Sequence, residues 1–304
     1  MPEMTLVAMS PTRRTLAKAK AFVMLTKPRI IELLLVTTVP TMIVAEQGLP
    51  GVGLMVITVV GGTLAAGGAN TFNMYIDRDI DALMERTQGR PLVTGAVPAW
   101  SALVFGLVLE AVAFVLLWAG ANLLSAVLAV SACLFYVLVY SMWLKRTSKQ
   151  NIVIGGAAGA VPALVGWAAV TDSLALAPWL LFAVIFFWTP PHFWALAIKY
   201  SDEYEAASVP MMPTVAGLRS TAKQMIWYTA VVMGLSLWFH VEAGTGWIYL
   251  TVAVLAGTVF LVHTIKLFRA PDTLQAMKVF GYSITYLGLL FLAMAVDVLV
   301  REGL

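Results

Sequence analysis

Charge is missing from most of this chain. Residues 33–76, 102–144, 150–198, 224–265 and 279–300 make up 200 residues, yet they carry five charges: Glu46, Glu110, Asp172, Glu242 and Asp297. The other 104 residues hold the remaining 30. In a soluble domain about a quarter of the residues are charged; here 12% are, against 61% hydrophobic. Segregation on this scale excludes a soluble enzyme, a disordered chain and a nucleic-acid module, and it predicts an all-α, polytopic membrane protein. A membrane β-barrel would alternate apolar and polar residues over segments of about ten, which these runs do not.

A helix needs about 20 apolar residues to cross a bilayer, and four of the runs are 42 to 49 residues long. Each therefore reads as a helical hairpin, with turn chemistry at its midpoint: Glu46–Gly51, Ala119–Asn122, Thr171–Ser173 and Glu242–Gly246. With the last run this predicts nine transmembrane helices around a central cavity. Alternation then puts 18 of the 19 Lys and Arg residues on one side, with Arg301 alone opposite. The N-terminus is accordingly expected in the cytoplasm and the C-terminus outside. Residues 1–29 form a basic cytoplasmic segment, 30–300 a single transmembrane domain with functional loops at about 73–98 and 199–218, and 301–304 a short tail. The first apolar stretch contains Glu32, Thr37, Thr38 and Pro40 and lacks a small-residue cleavage site, so it reads as a retained helix. A bacterial cytoplasmic membrane is the simpler location; the mitochondrial inner membrane is the alternative. The single cysteine, Cys133, lies in an apolar run and excludes a disulfide framework.

Two cytoplasmic loops concentrate acids. At 100° per residue, Asn70, Asn73, Asp77 and Asp81 fall within an arc of about 80° on a continued helix. A solvated helix face is the plain explanation of such a stripe. Against it stands the use of Asn, a poor helix former, and the lack of Lys or Arg partners one turn on. Oxygen ligands one turn apart suit Mg²⁺, which takes one or two carboxylates and completes its shell with water and phosphate oxygens. Arg86 and Arg90 follow closely, and their guanidinium groups match phosphate oxygens. The second loop, Lys199–Glu205, contains Asp202, Glu203 and Glu205. Four spans separate the two loops, so both are expected on the same side of the membrane.

These motifs resemble the UbiA-type intramembrane prenyltransferases. Asn73, Asp77 and Asp81 match the family's Asn-x-x-x-Asp-x-x-x-Asp pattern. The stretches Leu25–Arg29, Asn151–Gly156, Trp188–Leu196 and Val209–Pro213 are similar to the branch that prenylates heme. The likeness runs from about residue 22 to 300. One departure lies in the second loop: other branches carry Asp-x-x-x-Asp there, whereas Lys199 and Glu205 flank Asp202 in this chain. Glu203 before Tyr204 matches the heme branch instead.

The resemblance implies transfer of a farnesyl group from farnesyl diphosphate to a vinyl group of protoheme IX (heme b), giving heme O and diphosphate. Asn73, Asp77, Asp81 and Glu203 would then be catalytic, with Mg²⁺ on Asp77 and Asp81 and a second ion on Asp202 and Glu203. Arg86, Arg90, Lys145 and Arg146 would hold the diphosphate, and His192 the porphyrin, through either its iron or a propionate. A heme A synthase or a terminal oxidase assembly is the expected downstream partner. A quinone-precursor prenyltransferase is the alternative within the class, and a proton- or cation-coupled transporter the alternative outside it.

The remaining features have structural readings beside functional ones. Pro190–Pro191 is expected to disrupt the sixth helix beside His192. Gly155, Gly156 and Gly159 admit either a macrocycle or a neighbouring helix. Glu110 and Asp297 are intramembrane acids, which are usually functional or paired, and Glu32 is placed at the cavity's cytoplasmic entrance. No role is assigned to His240 or His263.

Overall fold

A computed structural model describes residues 11–303 and contains helices without strands among them. Helix α1 (Pro11–Leu25) precedes α2 (Pro28–Glu46), α3 (Val52–Ile76) and the short α4 (Arg78–Leu83). There follow α5 (Ala99–Gly120) and α6 (Leu123–Leu134), the latter running through a π-helical stretch (Phe135–Leu144) to Thr147. Next come α7 (Asn151–Thr171), α8 (Leu176–Lys199), and the short α9 (Ser201–Ala206) and α10 (Met212–Ala216). Helices α11 (Leu218–Glu242), α12 (Trp247–Arg269) and α13 (Thr273–Arg301) complete the chain.

Among the described residues seven helices are long and apolar enough to cross a membrane: α3, α5, α6 with its extension, α7, α8, α12 and α13. Of the two other long helices, α2 is apolar over Val36–Glu46, the stretch whose side chains are described, and α11 has Arg219 and Lys223 in its first turns. The protein is an integral membrane protein of all-α class.

The hairpin turns fall where the sequence places them. Gln47 and Asp172 adopt left-handed conformations at the ends of α2 and α7 (φ 54° and 49°), and Gly244 does so after α11 (φ 58°). Asn122 caps α6 by accepting from Ser125 N at 2.8 Å, and its Nδ2 donates to the Ala168 carbonyl at 2.6 Å. The long helices pack as a ring in the order α2, α3, α5, α6, α7, α8, α11, α12, α13, and α13 closes back on α2.

Three expectations resolve differently from one another. Helix α8 is continuous through Pro190 and Pro191, so the anticipated break is absent. Proline's fixed φ is itself helical, and only two backbone donors are lost, which neighbouring spans and side chains tolerate in membranes. Asp297 is structural: it accepts from Ile248 N (3.1 Å), Tyr249 N (3.3 Å) and Gly246 N, capping α12, with Arg301 beside it. Glu110, by contrast, packs against Gly68 and has no hydrogen-bond partner for either oxygen among the described residues. The side chain of Glu32 lies outside the described side chains.

Candidate active site

A cavity of about 360 Å³ runs between the helices of the first and second halves. On α3 its wall extends from Asn73 to Thr58, about 22 Å at 1.5 Å per residue. The deep part is apolar and narrow-walled, with Gly62, Ala65, Ala66, Ala129 and Val165. The mouth is polar and cationic.

Asp77 marks a slight hinge between α3 and α4, yet helical hydrogen bonding continues across it: Asp77 N donates to Asn73 O (2.9 Å) and Asp81 N to Asp77 O (2.8 Å). Asn73, Asp77 and Asp81 therefore keep one face and are buried, while Asp79 points outward and is exposed. Asn73 Nδ2 donates to Asp77 Oδ2 at 2.7 Å and to Ser141 Oγ at 3.0 Å, and Asn73 Oδ1 accepts from Lys27 Nζ at 2.7 Å. Lys145 pairs with Asp77 Oδ2, and Arg90 with Asp81 Oδ2 at 2.5 Å. Arg86 reaches across to the second loop, donating to the Tyr204 hydroxyl at 3.2 Å with its guanidinium over the Tyr200 and Tyr204 rings. Its backbone N–H meets Glu203 Oε2 at 3.4 Å.

The structure thus gathers Asn73, Asp77, Asp81, Arg86, Arg90 and Lys145 at the mouth, with Glu203 at the rim. It does not bring Arg146 or Asp202 there. Arg146 forks onto Asp79 on the outer face, both contacts 2.7 Å, because it lies about 100° round the helix from Lys145. That hydrogen bond holds the Asp79 carboxyl at about 2. Asp202 is exposed and lines a separate depression with Glu205 and Thr214. Two positions separate it from Tyr204, which faces the cavity, and this turns it about 200° away on α9.

Sequence reasoning missed Lys27, Tyr136, Tyr140 and Ser141. Lys27 sits in a left-handed conformation (φ 53°, ψ 62°) just before Pro28, a strained geometry for a residue with a Cβ. Burial first, then the charges of Arg90 and Lys145, lower its pKa to about 7 against the pull of Asp77 and Asp81. The three others depend on the π-helical stretch. Tyr136 and Lys145 are nine positions apart, which on an α-helix puts them on opposite sides. The wider π turn brings Tyr136, Tyr140 and Lys145 all to the cavity, and Ser141 Oγ donates to the carbonyl of Tyr136, five residues back, at 2.9 Å. Gly155 makes room for the Tyr140 ring and Gly156 for Thr189; Gly159 faces open cavity.

The donor set at the mouth fits a hard cation. Asp77 Oδ1 is buried without a partner among the described residues, while Oδ2 of Asp77 and Oδ2 of Asp81 are held by Lys145 and Arg90; the free carboxylate oxygen is a hard ligand. No group of three or more His, Cys, Asp or Glu residues is assembled among the described residues. A cation here would draw few ligands from protein and the rest from phosphate and water, the habit of Mg²⁺.

A ring of membrane helices that encloses a long apolar slot beneath a cationic, carboxylate-bearing mouth defines an intramembrane enzyme for amphiphiles with an anionic head. The family model described as UbiA prenyltransferase family matches residues 34–295, and the chain belongs to that family. It is a prenyl-transferring enzyme. Among its relatives is a protein named protoheme IX farnesyltransferase from Streptomyces avermitilis, 52% identical over 291 residues, covering 94% of this chain and 95% of the relative. Another of that name, from Pseudarthrobacter chlorophenolicus, is 52% identical over 286 residues, 92% of this chain and 89% of the relative. Two solved structures share the fold. One is described as a digeranylgeranylglyceryl phosphate synthase (TM-score 0.78, 17% identity, 93% of this chain and 99% of that one). The other is a UbiA homolog from Archaeoglobus fulgidus bound to GPP and Mg²⁺ (TM-score 0.62, 16% identity, 90% and 99%).

Proposed function

We propose that this enzyme transfers a farnesyl group from farnesyl diphosphate to a vinyl group of protoheme IX, giving heme O and diphosphate. The observation that carries the reading is the junction of the two halves of the cavity, where a mouth with Lys27, Arg86, Arg90 and Lys145 opens on an apolar slot about 22 Å long. The relatives of that name, about half identical over nearly the whole chain, support the choice of substrates.

Asp77 and Asp81, with Asn73 orienting Asp77, would hold one Mg²⁺, which would supply charge neutralisation to the diphosphate as the allylic C–O bond breaks. Lys27, Arg90 and Lys145 take up the charge that develops on the leaving diphosphate, and Arg86 covers it from the rim. Holding those cations in a site of low polarity makes each worth more than it would be in water. The apolar wall keeps water from the allylic cation, and the rings of Tyr136 and Tyr140 offer it electron-rich faces. The vinyl carbon of heme then forms the new C–C bond, the positive charge passes to the adjacent carbon, and water adds there with loss of a proton. Glu203 acts through its contact with Arg86; Asp202, turned outward, is left out, so the proposal contains one metal ion. His192 contacts the porphyrin. Nine crossings, a cytoplasmic mouth and a place in the bacterial inner membrane belong to the same proposal, with residues 30–300 as one catalytic domain and delivery of the product to a heme A synthase or terminal oxidase assembly.

The test is incubation of purified protein with Mg²⁺, farnesyl diphosphate and either heme b or an aromatic quinone precursor, followed by mass spectrometry. Farnesylated, hydrated heme is the expected product. Prenylation of the aromatic acceptor alone would move the substrate assignment to that class.

A further inference from the structure

His192 is held more tightly than an interfacial histidine requires. Its ring is stacked between Trp188 (centroids 4.4 Å apart, planes 16°) and Phe280 (4.7 Å, 24°). Its Nδ1 lies 2.7 Å from Ser283 Oγ. That same hydroxyl lies 2.6 Å from the Phe280 carbonyl oxygen, while Trp188 Nε1 donates to the Ser283 carbonyl at 2.9 Å. One serine thus anchors both rings of α8 to α13.

Proton accounting fixes the rest. Two oxygens 2.6 Å apart need a proton between them, and only the serine hydroxyl has one to give to a carbonyl. With that proton committed, Ser283 Oγ can only accept from His192, so Nδ1 carries the hydrogen and Nε2 carries the lone pair. A neutral imidazole of this form cannot donate from Nε2 to a propionate. It can ligate a metal, and a hydrogen bond at the far nitrogen is the usual way a ligating imidazole is oriented. Trp188, Thr189 and Phe193 beside His192, and Leu287 one turn beyond Ser283, line the cavity, with His192 and Ser283 in the layer behind them.

We infer that Ser283 is a positioning residue that locks His192 in its Nδ1–H tautomer, so that Nε2 serves as a ligand to the iron of the heme acceptor. This rests on the proposed function and decides between iron and propionate as the group His192 recognises.

Titration of the purified full-length protein with heme b, followed by absorption spectroscopy, tests it. Ser283→Ala frees the proton to sit on either ring nitrogen; heme binding should weaken roughly tenfold and the imidazole-ligated spectrum should fade. Ser283→Thr, which keeps the hydroxyl, should restore both. His192→Ala should lose the ligated spectrum, and added imidazole should return it. Farnesyl diphosphate affinity should stay within twofold in all three, which separates a tautomer effect from damage to the fold. Parent-like spectra and affinities in Ser283→Ala and His192→Ala, with heme still farnesylated, would overturn the inference and leave the proposed function intact. A parent protein that prenylates an aromatic acceptor but not heme would overturn both.

Discussion

The two acidic loops look alike in sequence and differ in kind once folded. In the first, Asp77 and Asp81 are 0% and 2% exposed and meet cations from three other segments: Lys27 before α2, Arg90 after α4 and Lys145 beyond the π-helical stretch. In the second, Asp202 and Glu205 face outward, and only Glu203 and Tyr204 turn inward to meet Arg86. In the proposed reaction the buried carboxylates surrounded by positive charge carry the chemistry, and the exposed ones mark a loop end. Burial with compensation distinguishes them, since unpaired burial of a charge would be too costly to keep.

The largest effect that would sharpen this contrast is at the first loop. Asp77→Ala or Asp81→Ala should lower kcat by a hundredfold or more, since each removes an oxygen from a site with few protein ligands, while size-exclusion profile and melting temperature stay near the parent's. Activity within a few-fold of the parent in Asp77→Ala would break the contrast at its root.

Lys27 gives the next effect, through pH. With its pKa lowered to about 7 among Arg90, Lys145, Asp77 and Asp81, the ammonium is charged below that value and loses its proton as pH rises through it. The KM for farnesyl diphosphate should therefore climb between about pH 6 and 8. Lys27→Met should raise KM several-fold at pH 6 and flatten the profile, whereas a profile unchanged by that substitution would remove Lys27 from the diphosphate site.

Arg86→Ala removes the guanidinium that bridges to Tyr204 while sparing the backbone contact with Glu203, and should cost about tenfold in turnover, on the scale of one charge-assisted hydrogen bond; a larger loss than at Asp77 would reverse the ranking of the loops. Smallest of all, Asp202→Ala and Arg146→Ala should each change kcat/KM by less than about twofold. The Arg146–Asp79 pair, with Asp79 62% exposed, is a surface ion pair of about 1 kcal/mol at most. Because Asp79 titrates lower in the folded protein, that small contribution is present above its ordinary carboxylate pKa and is lost as pH falls through it toward about 2. A thermal melt of Arg146→Ala at pH 7 and pH 3 measures it.

The segregation of charge, and turn residues such as Asn122 and Asp172, already placed the helices, since a bilayer admits few other solutions. The Asn73, Asp77 and Asp81 stripe was legible because the helical period survives the hinge at Asp77. Three features were hidden because each breaks the rule by which sequence is read. Tyr136 and Lys145 share a face only through a π-helical stretch, which α-periodicity assigns to opposite sides. Lys27 joins the site through a left-handed backbone that no pattern of residue types announces. Pro190–Pro191 reads as a break, yet α8 runs through it.

The contact of α13 with α2 joins the ends of the ring, and it sets an order of events on the ribosome. Residues 27 to 145, which hold the acids and cations of the mouth bar Arg86's partners, leave the exit tunnel first. Ser283 and Leu287, on the helix that braces His192 and finishes the cavity wall, leave last. By the proposed reaction, a nascent chain therefore carries the residues for drawing an allylic cation out of its diphosphate before it carries the wall that would shelter that cation or the seat of the molecule that would quench it. Synthesis of α13 is thus the step that closes the cavity wall.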